Sequence, residues 1–160
     1  MPVAWADATS DIETLIQDKQ WPQAEQRIRA EMQKSGPSAQ SPQWRLMASQ
    51  VGAAQGKTEE AIQALQALIQ EFPELPEPYN NLGVLLAAQG QFDAAATALR
   101  LAVQARPNYI VALQNLGDLY NAMAQQAYDK AKTLKEAKGL LPLPSPAAAT
   151  STTTNTRSSR

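Results

Sequence analysis

Two carboxylate pairs, Glu59 with Glu60 and Glu74 with Glu77, are the residues of this chain closest to chemistry. Paired carboxylates can divide the acid and base roles of glycoside hydrolysis without histidine. Their settings argue against that use. Adjacent residues on a helix point about 100° apart, so Glu59 and Glu60 serve different faces. Glu74 and Glu77 flank a turn that also holds Pro73, Pro76 and Pro78. The chain has no histidine and no cysteine, which removes imidazole bases, thiolate nucleophiles and the usual ligands of zinc, copper and haem. Its 15 Asp and Glu residues show no calcium-loop spacing. Neither a Gly-rich phosphate loop nor a nucleophile elbow is present. The residues point to no enzyme, no cofactor and no metal, with a carboxylate-dependent hydrolase as the remote alternative.

The informative pattern is repetition. Ala53-Ala54-Gln55-Gly56 returns as Ala87-Ala88-Gln89-Gly90, and Asn81-Leu82-Gly83 as Asn115-Leu116-Gly117, each after 34 residues. Pro73 with Pro107, Ala61 with Ala95 and Leu65 with Leu99 obey the same shift. A fixed period of this length marks stacked units, none of which can bury its apolar face alone. The period, with Leu-Gly, a turn Gly, Ala and Pro in this order, resembles the tetratricopeptide repeat. The likeness covers Pro42 to Leu134 strongly and the first thirty residues weakly. It implies an all-α, right-handed α-solenoid of three to four antiparallel helix pairs that holds other proteins and catalyses nothing.

Local signals place the elements. Ser10-Asp11-Ile12-Glu13 has capping-box spacing, which predicts a first helix from about Ser10 to Lys19 after a disordered segment 1–8. Trp21, Ala24, Ile28 and Met32 recur at three and four, giving a second helix that ends near Ser35-Gly36-Pro37. Ser41 can cap a helix with Pro42 in its first turn, running to about Gln55. Gly56 turns the chain, Thr58 is a candidate cap, and the next helix stops at Phe72-Pro73. In the following unit Tyr79, Leu82, Gly83 and Leu86 belong to the first helix and Phe92, Ala95, Leu99 and Ala102 to the second. Gly83 and Ala95 are the expected points of close approach. Beyond Ile110 no breaker interrupts the apolar pattern, so one long capping helix to about Lys138 is expected; two helices with a register shift at Tyr128 are the alternative. The units are then about 9–38, 42–75, 76–109 and 110–138, followed by a disordered Pro/Ser/Thr-rich tail, 139–160. Lys130, Lys132, Lys135 and Lys138 suit the negative end of the last helix.

The resemblance also implies a ligand groove along the first helix of each unit. Offsets of i, i+4 and i+7 give Leu46, Gln50 and Ala53, then Asn80, Val84 and Ala87, then Gln114, Asp118 and Asn121. Amides donate and accept, which suits a peptide backbone, and alanine leaves room for an entering side chain. None of the nine is basic, which argues against a clamp for a C-terminal carboxylate. The expected partner is a protein or peptide, held by a scaffold or by a client-holding chaperone.

A net charge of −1 gives no field favouring nucleic acid, and no apolar run reaches the roughly 20 residues of a membrane helix. Ala4-Trp5-Ala6 reads as the remnant of a cleaved leader or as an arbitrary Ala-rich start. The run Pro76-Glu77-Pro78-Tyr79-Asn80-Asn81-Leu82-Gly83 and the later Gln126-Ala127-Tyr128-Asp129-Lys130-Ala131 are similar to bacterial exported envelope members of the family. That likeness implies a periplasmic or otherwise exported location and a role in envelope assembly.

Overall fold

The computed structural model describes residues 3–34 and 41–133. The tail 139–160, residues 134–138 of the expected capping helix, and most of the Gly36–Ser41 connection lie outside those residues. Among the described residues there are seven helices and no strand: α1 (Val3–Gln17), α2 (Trp21–Met32), α3 (Pro42–Ala54), α4 (Thr58–Glu71), α5 (Pro76–Ala88), α6 (Phe92–Ala105) and α7 (Ile110–Thr133). The chain divides at Gln126 into two compact units. In the first, each helix from α1 to α6 packs against the next, and α3 also touches α5. This is an all-α helical-repeat solenoid.

Helix α1 starts at Val3, seven residues before the expected cap at Ser10. The apolar stripe through Ile12 extends upstream to Ala8, which is itself buried, so the first helix gains core contact by starting early. Ser10 therefore lies inside the helix, where its carbonyl accepts from Thr14 Oγ1 at 2.9 Å. Ser41 does cap α3, accepting from the Gln43 amide at 3.3 Å, with Pro42 as the first helical residue. Thr58 is not a cap; Lys57 holds that position and Thr58 is already helical. α7 runs unbroken to Thr133, the last described residue, as one long helix and not two with a register shift at Tyr128. In the second unit its last described turn carries Lys130 and Lys132, the latter paired with Asp129 at 2.9 Å.

The repeated Ala-Ala-Gln-Gly has two physical roles. Gly56 and Gly90 adopt φ of +86° and +75°, a left-handed geometry that side chains resist. Gln55 Nε2 donates to Glu25 at 3.0 Å, and Gln89 Nε2 donates to Glu59, thirty residues back in both units. The glutamine thus ties each turn to the preceding second helix. Glu59, one of the four acids considered for hydrolysis, is part of this tie.

The core forms around two clusters. Ile12, Ala24, Ile28, Trp44, Met47 and Val51 join α1, α2 and α3. Ala95, Ala96, Leu99 and Leu119 join α6 to α7, with Leu86, Ala87, Phe92, Leu116 and Met123 packed around them. At Gly83 an added Cβ would lie 2.6 Å from Leu99 Cγ, and Leu99 is itself buried. At Gly117, which occupies the same place in the repeated Asn-Leu-Gly, an added Cβ meets nothing within 4 Å.

The two glycines should therefore respond in opposite directions. Gly83→Ala should destabilise by about 1–3 kcal/mol, because overpacking against Leu99 outweighs the helix propensity gained. Gly117→Ala should stabilise by roughly 0.5–1 kcal/mol. Urea unfolding at the same low-micromolar protein concentration, where the chain is monomeric, measures both.

The Glu25 carboxylate is held below its ordinary value, first by the Gln55 amide and then by Lys57, whose Nζ is 3.6 Å away. A depressed carboxylate stabilises the fold above its ordinary pKa near 4.5, and that contribution disappears as pH falls through the folded-state value. Acid titration of melting midpoints should show wild type losing stability below about pH 4.5 more steeply than Glu25→Gln.

Candidate protein-binding groove

The first helices of the strict units, α3, α5 and the first part of α7, lie in a row. α3 touches α5 directly, and Asn115 Nδ2 on α7 donates to Asn80 Oδ1 on α5 at 2.9 Å. Stacking at the 34-residue period produces this row: each first helix packs on the preceding second helix and beside the preceding first helix.

The nine expected lining residues do not share one environment. Gln50 and Val84 are exposed and line a common cavity of about 220 Å³ with Ser49, Leu65, Asn81 and Leu85. Leu46 is half-buried and lines a neighbouring cavity of about 350 Å³, floored by Leu75 and Pro78. Ala53 is half-buried. Ala87 packs against the cluster between α6 and α7. Gln114, Asp118 and Asn121 are exposed along α7.

Asn80 is the largest departure, being buried with 4% of its surface exposed. Its amide is used within the protein: Oδ1 accepts from Asn115, and Nδ2 donates to Asn81 Oδ1 at 3.2 Å. Helical offset arithmetic assigns Asn80 to the same face as Val84, but the close approach of α7 covers its end of that face. The polar character read as ligand recognition instead satisfies a helix–helix contact.

This chain of amides has a direction. Asn115 donates to Asn80, so Asn80 presents its own nitrogen to Asn81, and Asn81 must accept with its oxygen. The Asn81 Nδ2 is then left buried with no hydrogen-bond partner among the described residues, at the wall of the cavity shared by Gln50 and Val84. Asn81 and Asn115 were not among the expected groove residues. Their signal was present in the repeated Asn-Leu-Gly, which places both at one position of the unit.

The acidic pairs are accounted for structurally or lie on the surface. Glu77 is bound by Arg106 at 2.8 Å, and that guanidinium lies 5.2 Å from the Tyr109 ring centre. Burial pushes the Tyr109 hydroxyl above its ordinary pKa, with the Glu77 charge adding to the effect. Glu60 and Glu74 are exposed. Among the described residues no cluster of acidic side chains could hold a metal ion, and no helix is long and apolar enough to cross a membrane.

Two tetratricopeptide-repeat models match the sequence, one over residues 15–76 and one over 53–117. The chain belongs to the tetratricopeptide repeat family. No curated protein sequence matches it. Among solved structures it is similar to the Sgt2 TPR domain from Aspergillus fumigatus, with TM-score 0.64 and 13% identity over 92% of this chain and 95% of that one. PcrH, in complex with the chaperone-binding region of PopD, superposes with TM-score 0.60 and 13% identity over 76% of this chain and 92% of its own. The Yersinia enterocolitica type III secretion chaperone SycD, bound to a peptide of the translocator YopD, gives TM-score 0.58 and 14% identity over 77% of this chain and 97% of its own. The tetratricopeptide fold is that of a protein-interaction scaffold.

Asn80→Ala should remove the acceptor of Asn115 and the donor to Asn81 together. Leaving such buried polar groups unpaired costs about 1–3 kcal/mol. A lowered urea midpoint of that size, with unchanged helical circular dichroism at low denaturant, is the expected result.

Proposed function

We propose that this protein is a non-enzymatic scaffold that binds a peptide or helical segment of a partner protein along α3 and α5, with the exposed amides of α7 extending the surface. The observation that carries the reading is the Asn81 Nδ2. It is a buried donor without a partner among the described residues, on the wall of a cavity flanked by exposed Gln50 and Val84. An unmet buried donor is costly, and a partner's carbonyl oxygen would remove that cost. Val84 supplies apolar contact and Gln50 a second amide, so a backbone carbonyl next to a small apolar side chain fits the site.

Neighbours of the same fold bind protein segments, as SycD does with a YopD peptide. A client-holding role is the second reading, favoured by the type III secretion chaperone SycD and by PcrH, which holds the chaperone-binding region of PopD, among those neighbours. It differs in breadth: a chaperone would hold several unrelated unfolded chains with similar affinity, and a dedicated scaffold would not. The proposal includes a periplasmic or otherwise exported location, resting on the likeness of the Pro76–Gly83 run to exported envelope members of the family. Fractionation of the source cell tests that part separately.

Peptides selected from a random displayed library on the purified chain supply the probe. Val84→Asp and Gln50→Ala, both at exposed positions, should each weaken a selected peptide about tenfold while leaving the melting midpoint unchanged. Undiminished affinity in both variants would move the binding face elsewhere.

A further inference from the structure

Among the described residues the last helix, α7, carries an uncovered face. In the unit before it, Gly83 of α5 is covered by Leu99 of α6 and Leu86 packs on the same α6 cluster, with Tyr79 half-buried on the same stripe. One period later α7 carries Leu113, Gly117 and Tyr120 in the same places. Among the described residues no second helix packs on them. Leu113 and Tyr120 are each 45% exposed, Ile110 67%, and Gly117 and Ala124 are open as well. These five residues follow i, i+3, i+7, i+10 and i+14, a single stripe along one helix. A second stripe of α7, about 110° round the helix and carrying Leu116, Leu119 and Met123, is already packed against α6.

We propose that a second copy of this chain covers the stripe, with the two α7 helices antiparallel about a two-fold axis. The self-complementarity lies in the order of sizes. When the axis passes level with the Asp118–Leu119 peptide, Leu113 stands opposite the partner's Ala124, and Gly117 opposite the partner's Tyr120. The same pairs recur in reverse on the other side of the axis. Every level matches a large side chain with a small one, as Leu99 is matched with Gly83 inside the solenoid. A parallel pair would set Tyr120 against Tyr120 and leave a void between two glycines.

Charge permits the arrangement. From Ile110 to Gln126 the only side chain of α7 charged at neutral pH is Asp118, and it lies about 120° round the helix from the centre of the stripe. No like charges meet at the axis. Arg100, reaching from α6, donates to the Tyr120 hydroxyl at 3.3 Å and holds the ring at the edge of the stripe. The interface continues the packing that already joins α5 to α6, supplying from another molecule the cover that α7 lacks among the described residues. An isologous contact of this kind closes on itself and does not propagate into fibres.

The test separates monomer folding from assembly. Gly117→Leu meets open space among the described residues of one chain, so the monomer should keep or raise its melting midpoint; in the dimer the new side chain meets the partner's Tyr120. Sedimentation equilibrium of the full chain should show a dimer by about 100 µM, and Gly117→Leu should weaken it at least tenfold. Adding Tyr120→Ala to Gly117→Leu reverses the size order and should restore the dimer to within about threefold. Independently, Leu113→Cys with Ala124→Cys should give an intermolecular disulfide under mild oxidation, because the two positions are about 16 Å apart on one helix. Either single cysteine variant should cross-link far less. A chain monomeric at every concentration overturns the proposal, as does a dimer indifferent to Gly117→Leu. A Gly117→Leu monomer with a lowered melting midpoint also overturns it, assigning the face to another segment of the same chain. A double-cysteine chain that yields no cross-linked dimer does so whatever the behaviour of the leucine variant.

Discussion

The fold depends on how closely two helices can approach where α5 crosses α6. Leu99 fits over Gly83 with no space for even a methyl group, and Ala95 contributes its backbone to the same contact. That closeness sets the distance between paired helices, which fixes the slot left for the next pair. Because each unit buries its apolar face only against its neighbours, the geometry of one crossing propagates along the stack. The turn glycines, the Gln–Glu ties and the proline breaks set where helices end. The crossing sets how they lie.

From that spacing follows the row of first helices, and with it the amide chain from Asn115 through Asn80 to Asn81. Adjacent first helices approach closely enough for short side chains to meet, so some of the polar residues on this face are used internally. The Asn81 nitrogen, without a partner among the described residues, is left over by the same chain, because Asn81 uses its oxygen to accept from Asn80. A candidate binding position thus arises at the end of a structural network, at a cavity whose walls come from three successive helices, α3, α4 and α5.

Much of the architecture was legible in the residues. The 34-residue period located the helix pairs from Pro42 onward, Ser41 and Pro42 marked a true helix start, and Gly56 and Gly90 marked true left-handed turns. The beginning of α1 was less legible. A capping-box spacing at Ser10 competes with an alanine-rich run that is equally able to be helical, and burial of Ala8 in the core decides between them. Thr58 failed as a cap for a similar reason: the first helical bond of α4 runs from Ala61 to the Lys57 carbonyl, so the helix begins one residue early. The candidate groove was legible only as a row of positions, since the offsets that group Asn80 with Val84 contain no information about what stands in front of each.

The sequence by itself determined the period, the helix type, the turn chemistry and the absence of histidine and cysteine, because these depend on residue identity and short-range geometry. Tertiary structure alone decided that Asn80 is buried while Val84 is exposed, and that one Asn-Leu-Gly glycine is a crossing point while its repeat meets nothing among the described residues. The physical reason is that a local pattern specifies which side of a helix a residue occupies. Whether that side meets another helix depends on which elements the fold packs beside it.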